Sequence, residues 1–468
     1  MIKDLRSYLD YLSKKGKLAH VKSKVSPELE ISAFTNKENS EHRNESRALV
    51  FDNVDGYGIP VATNLMGSAS TLSDLFSGFQ MADILGSLYN SDGIPIIKSA
   101  KTVINSRPRL VKKGFGGYEK LSSLDEIPIL KTWPGDSGRF ITLPLVITES
   151  PSDGSTNVGI YRMQVFDGET TGMHWQVQKG GAIHAAEALE AKKELNVSVA
   201  IGTDPYNIIS AVAPLPHGIN EFSFAGAARG SRTDLIDCDG YPPVPSNSEI
   251  IIKGHIDPSE KRDEGPFGDH TGYYSIKEPM HVFHIDGIYA KKDAIYAASV
   301  VGFPWNEDCV AGQFLMDYLK PMIKFVSPNI VDIFLPPEGA FTNLCFVSLK
   351  KRFPGDAKKT IFSLLGLGQL SLTKMIVAFD DDIDVRNMGR VMWALSTRVD
   401  PERDVQILNG TPTDTLDHAS NVTGYGSKML IDATKKSRQE GYFRDWPDVI
   451  IPDAEISREV DKKWKQIS

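Results

Sequence analysis

The sequence predicts a multidomain chain of mixed α/β and α+β class, and three stretches of different character predict it. Residues 1–110 combine a helical pattern with short apolar segments between polar runs. Residues 111–300 are dominated by strand-like segments, and residues 301–468 alternate helix and strand. These bounds are the expected domains, the last with a charged C-terminal tail. A chain of 468 residues, 41% hydrophobic and 24% charged, can fill several cores, about two to four by length.

In the first stretch Leu5, Leu9 and Leu12 recur at helical spacing among Lys, Asp and Arg. That predicts an amphipathic surface helix over 3–15 and not a secretory signal. A polar run over 36–46 precedes apolar segments at 48–51 and 59–62. Strands are expected at 141–147, 159–165, 197–201, 208–213, 249–253 and 281–288, from their apolar and β-branched content. A helix is expected to begin near Ala182. The last stretch reads as helix 311–326, strands 331–335 and 344–349, helix 356–365, strand 375–379, helix 388–397 and strand 405–408. Beyond residue 435 charge and turn residues dominate, and Trp446 and Trp464 are expected to dock the tail on a neighbouring surface. No repeat or low-complexity tract is found.

A net charge of −8 and a pI near 5.8 argue against a broad nucleic-acid or anionic-membrane surface. Small ligands fit better, with a local basic pocket for a phosphate still open. No apolar run reaches the length of about 18 residues that a membrane span needs. Cys238, Cys309 and Cys345 lack paired spacing, which suggests neither a disulfide framework nor a zinc site and points to the reducing cytoplasm.

The most informative segment is Glu264-Gly265-Pro266-Phe267-Gly268-Asp269-His270, two carboxylates five residues apart on a stretch that Gly and Pro keep out of a helix. A bend could aim both into one pocket as an acid/base pair, and the plainer alternative is a polar surface turn. Asn157 and Arg162 lie five apart on an expected strand, so they need a bend or a common ligand to meet. Arg162 could anchor a carboxylate and Asn157 could offer a metal-binding carbonyl; otherwise they are a surface arginine and a turn residue. His174-Trp175-Gln176-Val177-Gln178-Lys179-Gly180-Gly181 sets an aromatic surface, a cation and two glycines before a helix, a pattern suited to phosphate or to a linker. Glu221 is a lone acid in the apolar run 220–226, either at a solvated strand end or bound to a cation. The acids of Asp380-Asp381-Asp382-Ile383-Asp384 suit helix capping better than a Mg²⁺ ion.

Together with Trp133-Pro134-Gly135-Asp136, Leu335-Pro336-Pro337-Glu338-Gly339 and Trp393-Ala394-Leu395-Ser396-Thr397-Arg398, these segments resemble the UbiD-like decarboxylases, which use prenylated FMN. The likeness runs from residue 3 to residue 434. It implies a central flavin-reductase-like split β-barrel that holds the cofactor, flanked by an N-terminal α/β domain and a C-terminal α/β domain that helps form homodimers or hexamers. Carried over by position, Asn157 and Glu221 become ligands of an Mn²⁺ ion that ties the cofactor phosphate to the protein. Ile160, Tyr161, Arg162, His174, Trp175, Gln176, Lys179 and Gly180 line the cofactor, Lys374 reaches it, and Arg162, Glu264 and Asp269 form the catalytic network. A K⁺ ion and a flavin prenyltransferase supplying the cofactor are further implied. One position departs from the pattern: where some members place a histidine metal ligand, this chain has Lys179. Its ammonium cannot ligate Mn²⁺ and would pair with the phosphate as a point charge, leaving two protein ligands.

The implied activity is reversible, non-oxidative decarboxylation of an α,β-unsaturated or aromatic acid. No side chain can serve as the electron sink that loss of CO₂ from an sp² carbon needs, so the cofactor carries that step. Arg162 would hold the departing carboxylate, Glu264 would orient Arg162, and Asp269 would donate the proton. An unperturbed aspartic acid is only about one part in a thousand protonated at pH 7. The role therefore requires a raised pKa, and with it an Arg162 that pairs chiefly with Glu264. The compact length and the Trp133 and His174 motifs favour the archaeal members acting on trans-anhydromevalonate 5-phosphate over the longer 4-hydroxy-3-polyprenylbenzoate enzymes of quinone synthesis. Small phenolic acids are a third substrate class. A flavin-binding reductase on the same barrel is the alternative of a different kind.

Overall fold

Asp4 sets the start of the first helix in the computed structural model, which describes residues 2–78, 106–112, 114–176, 179–215, 219–303 and 305–465. Its carboxylate accepts the Ser7 N–H at 2.8 Å while its own N–H donates to Ser7 Oγ, a reciprocal cap on the helix Leu5–Lys14. The expected stripe of that helix, Leu5, Leu9 and Leu12 with Tyr8, is buried, each side chain contributing about 1.5–3 kcal/mol. Beside it lies a four-stranded sheet in the order Leu18–Val21, Ala48–Phe51, Val61–Thr63, Tyr296–Ala298. The last strand comes from far along the chain and pairs parallel to Val61–Thr63.

The middle of the chain builds a seven-stranded sheet, antiparallel at every pairing. Its order is Thr170–Met173, Glu278–Lys291, Ile250–Glu264, Leu195–Ile201, Pro144–Glu149, Thr156–Ile160, with Tyr118–Leu121 also on Glu278–Lys291. The two edges of this path do not pair with each other among the described residues. Two strands outrun the expected 249–253 and 281–288, reaching 15 and 14 residues. The far half of the longer one is mostly polar and exposed, which hides it from a pattern based on apolar residues. The longer one delivers Glu264 to its far end.

The expected strand 208–213 is instead the helix Pro205–Val212. Asp204 caps it, accepting the N–H groups of Tyr206 at 3.0 Å and Asn207 at 3.2 Å, and Pro205 occupies the first turn. These start signals outweigh the β preference of Ile208-Ile209. The run around Glu221 is likewise the helix Glu221–Arg229 and not a strand end, with Asn220 accepting the Ser223 N–H at 3.1 Å.

The third sheet is mixed, in the order Ile330–Phe334, Leu344–Leu349, Met375–Asp380, Tyr425–Asp432, Val405–Pro412. Period-two alternation sends Cys345, Val347 and Ile376 into one core and Phe346, Val377 and Phe379 into another. Helices Glu307–Val326, Asp356–Leu365 and Met388–Arg398 match the expected alternation to within a few residues at their ends. The strand Tyr425–Asp432 was not anticipated, since its start is rich in Gly, Ser and Lys. Asp380 and Asp382 bind the buried Arg398 at 2.8–3.0 Å, so those acids are matched by a guanidinium. Trp446 donates to the Lys436 carbonyl at 2.8 Å and stacks on Tyr442, both within the tail itself. Trp464, 67% exposed, does not dock. Among the described residues no helix is long and apolar enough to cross a membrane.

The helix Glu221–Arg229 is tied down by one ion pair: Arg229 Nη1 donates to the fully buried Asp204 carboxylate at 2.8 Å, which also accepts from Asn207 and Asn247. Asp204→Ala is expected to cost about 3–5 kcal/mol, because it strands a buried guanidinium. The shift of the urea midpoint checks this, with Asp204→Asn expected to lose less.

Candidate active site

The strand Thr156–Ile160 breaks at Tyr161-Arg162 before resuming as Met163–Gln164. This break does not bring Asn157 and Arg162 together; it leaves them with different partners. Ile160 packs between two cores behind it.

Arg162 lies almost wholly inside the protein, its side chain 8% exposed. It forks onto Glu264, Nε to Oε1 at 2.9 Å and Nη2 to Oε2 at 3.1 Å, and Nη1 donates to Asp269 Oδ2. Nη2 also reaches Ser275 Oγ at 3.1 Å, and the guanidinium lies over the Phe267 ring, 4.9 Å from its centre. His174 Nδ1 stands 3.1 Å from both Arg162 Nη2 and Glu264 Oε2. The two carboxylates five residues apart therefore do share one pocket, on either side of one cation.

The bend that aims them is built from its glycines. Gly265 has φ +92°, a left-handed conformation that glycine adopts without steric cost, and its N–H donates to Gln164 Oε1 at 2.7 Å. At Gly268 a Cβ would collide with the Trp133 indole. The Gly268 N–H donates to Asp136 Oδ1 at 2.8 Å, while Asp136 Oδ2 accepts from Thr132 and Trp133. The Trp133-Pro134-Gly135-Asp136 motif is thus the buttress of the acid segment.

Burial alone would raise the pKa of both acids. For Glu264 the hydrogen bond from His174 and the charge of Arg162 more than cancel it, and the carboxyl is held below its ordinary value. For Asp269 the hydrogen bond and charge of His270, then Arg162, do the same more strongly. Asp269 Oδ1 accepts from the His270 N–H at 2.7 Å and faces His270 Nδ1 at 2.9 Å. The raised pKa expected of Asp269 is therefore absent. Arg162 does make more bonds to Glu264, but it does not spare Asp269, and His270 adds a second pull. A polar Asp-His pair was the only available signal.

A second cluster lies along the same strand. At Gly180, the first residue of the helix Gly180–Ala191, a Cβ would overlap Asn157 Oδ1, and at Gly181 it would stand 2.6 Å from Trp175 Nε1. Trp175 is buried with Nε1 unpartnered, and its ring meets Tyr161 edge-on. Glu221 likewise has its buried Oε2 unpartnered among the described residues, and burial pushes its carboxyl up to about 7, against the N–H groups of Glu221 and Val158. Val158 is the chain neighbour of Asn157, whose side-chain amide faces Tyr161 Oη at 3.4 Å. Lys179 precedes the helix without capping it; burial lowers its pKa and the charge of Asp414 partly restores it. Gln176 is half-buried, and Val177 and Gln178 lie outside the described residues. Lys374 is paired with Asp417 at 2.8 Å. Asp417 lines a cleft of about 160 Å³ with Ser275 and Glu278, and Lys374 itself does not line it.

Family models confirm the likeness over nearly the whole chain. Those of the 3-octaprenyl-4-hydroxybenzoate carboxy-lyase N-terminal, Rift-related and C-terminal domains match residues 9–90, 107–304 and 309–433. The chain belongs to the UbiD family of carboxy-lyases. It is 45% identical to an uncharacterized protein of Archaeoglobus fulgidus over 475 residues, covering 99% of this chain and 98% of the relative. Among solved structures it resembles the vanillic acid decarboxylase of Sedimentibacter hydroxybenzoicus in closed form, at 28% identity and TM-score 0.86 over the whole of both chains. It also resembles the UbiD-class enzyme HmfF from Pelotomaculum thermopropionicum in complex with FMN, at 27% identity and TM-score 0.81, covering 98% of this chain and 99% of that one.

Because Glu264 and Asp269 are held below the ordinary carboxylate range, their ion pairing stabilises the fold fully above about pH 4 and is lost as pH falls through their folded values. Arg162→Met leaves both acids buried without their cation, at an expected cost of about 3–5 kcal/mol near neutrality. Urea midpoints of the two proteins should converge below about pH 4; a gap independent of pH would contradict this account.

Proposed function

We propose that the protein is a prenylated-FMN-dependent decarboxylase in which Arg162, Glu264 and Asp269 act on the substrate carboxylate. The observation that carries this is the buried Arg162, gripped by Glu264 and faced by Asp269. A guanidinium so held is rigid, and a substrate carboxylate would reach it at Nη1, in competition with Asp269. The cofactor supplies the electron sink into which the electrons of the carbon–carboxylate bond pass.

Arg162 binds the carboxylate, and Glu264 keeps the guanidinium plane from rotating toward it. The arriving negative charge competes for Arg162 and stands close to Asp269. Both effects raise the proton affinity of Asp269, so a group too acidic at rest gains a proton when substrate binds. It then holds that proton for the product carbon. The flavin of this site would lie against Ile160, Tyr161, Arg162, His174, Trp175 and Gln176, with its phosphate at Lys179 and Gly180.

The second cluster fits a metal-bridged phosphate. Glu221 carries a buried, unpartnered oxygen and a raised pKa, the state of a carboxylate that lacks its cation. Asn157 Oδ1 lies against the glycine-opened helix start, where phosphate is favoured. We assign Mn²⁺ to Asn157 and Glu221, with phosphate and water completing its shell. A structural K⁺ ion is part of the same proposal. The open antiparallel sheet corresponds in this reading to the family's split barrel, with domain bounds at residues 110 and 300 and Lys374 approaching the cofactor from the C-terminal side. A flavin prenyltransferase supplies the cofactor, and the protein acts as a homodimer or hexamer in the cytoplasm.

For substrate we propose trans-anhydromevalonate 5-phosphate, supported by the compact chain and by relatives in the archaea Archaeoglobus fulgidus and Aeropyrum pernix, the latter 35% identical. A small phenolic acid is the second reading, favoured by the fit to a vanillic acid decarboxylase. Holoenzyme co-expressed with a flavin prenyltransferase is expected to release CO₂ from the phosphorylated acid and not from vanillate or a polyprenylbenzoate. The reverse ranking would transfer the assignment to the phenolic class. Asp269→Asn with cofactor bound should lose turnover and solvent deuterium incorporation into product, by about 10²-fold or more; near-normal activity would remove Asp269 from the donor role. Glu221→Gln should retain less flavin and less Mn²⁺ through gel filtration, as read by absorbance and elemental analysis, while keeping the same circular dichroism.

A further inference from the structure

His270 shares a buried niche with acids from three parts of the chain. Its Nδ1 stands 2.9 Å from Asp269 Oδ1, and its backbone N–H donates to the same oxygen. Nε2 is buried and has no hydrogen-bond partner among the described residues, and the ring lies 5.3 Å from that of Phe341. Asp308, in the first turn of Glu307–Val326, and Asp414, after the strand Val405–Pro412, act on the ring through their charges. Arg162 faces it across Asp269, whose other oxygen it holds. An ionised carboxylate can only accept, so the Nδ1 contact requires a proton on Nδ1. Burial opposes a second proton on the ring, but Asp269, Asp414 and Asp308 outweigh it, and His270 is held protonated above its ordinary range.

We propose that His270 is a positioning residue that stores the proton Asp269 delivers to the product, an inference that rests on the decarboxylase reading above. At rest the pair is an imidazolium and a carboxylate sharing one movable proton. When the substrate carboxylate occupies Arg162, the proton crosses from Nδ1 to Oδ1, leaving a neutral imidazole and a neutral carboxyl. A turn of that carboxyl about its Cβ–Cγ bond presents the proton to the product carbon: the O–H bond breaks, the C–H bond forms, and the carboxylate returns. One solvent proton then restores the imidazolium, so each turnover consumes one proton and nothing is oxidised or reduced.

Two measurements on the full chain test this. The first is an NMR titration of the histidine rings without cofactor, with His270 assigned by its loss in His270→Asn. The His270 ring should titrate above the ordinary value of about 6.5 and fall back toward it or below in Asp269→Asn. Titration at the same pH in both proteins overturns the proposal, whatever the activity. The second uses holoenzyme. His270→Asn, whose amide keeps a donor near Oδ1, should retain the flavin spectrum and KM but lose about tenfold or more in kcat. The fall of kcat on the alkaline side, where wild-type His270 deprotonates, should disappear. Unchanged kcat with an unchanged alkaline limb overturns the proposal. A wild-type holoenzyme that releases no CO₂ from any acid overturns the decarboxylase reading and with it the destination of the proton. The ring titration distinguishes that failure from the absence of a shared proton.

Discussion

The burial of Arg162 is the constraint around which the catalytic half of the molecule is arranged. A guanidinium cannot be taken out of water without partners, and the effective penalty is several kcal/mol even after relaxation. Glu264 meets the demand only if the strand Ile250–Glu264 runs its full 15 residues and ends at this spot. Asp269 meets it only if the chain turns back within five residues, which Gly265 allows by its positive φ. The turn in turn needs a wall, and Trp133 and Asp136 form it by filling the space beside Gly268 and accepting its N–H. Two sequence motifs far apart in the chain thus answer to one buried charge.

The two clusters along the strand Thr156–Ile160 are electrostatic opposites. Around Arg162 charge is matched, and both acids are held below their ordinary range. Around Asn157 it is unmatched: Glu221 lacks a partner for one oxygen and is pushed up. The first cluster is complete within the chain. The second has the donors of a cation site but, among the described residues, no cationic side chain bound to them. Lys179, a few residues off at the helix start, is itself lowered by burial, the condition of a lysine that a bound anion would restore to its ordinary range.

Much of this was legible because the decisive signals are local. Gly265, Pro266 and Gly268 announce a bend, Asp4 and Asp356 stand at real helix starts, and the apolar runs of the third sheet fall on its strands. The errors have local causes too. Ile208-Ile209 favours a strand by composition, yet Asp204-Pro205 nucleates a helix in front of it. Glu221 sits in an apolar run that alternates like a strand but is capped like a helix. The role of His270 was not legible, since it depends on Asp308 and Asp414, which no spacing relates to residue 270. The lowered pKa of Asp269 follows from that same omission.

Asp308 and Asp414 also show how the third sheet enters the chemistry without touching Arg162. Asp414 acts on both Lys179 and His270, one in each cluster. Asp308 is itself pushed up to about 6, by burial and by Asp269 against the opposing pull of His270. Its charge, and so its support for the imidazolium, is therefore sensitive to how closely the C-terminal part packs on the bend. Fields between charges in a poorly solvated niche fall off with distance and with the admission of water. A displacement of the loop carrying Asp414 would weaken the hold on His270 and on Lys179 together. Asp414 is thus the one acid that acts on both the acid segment and the helix start.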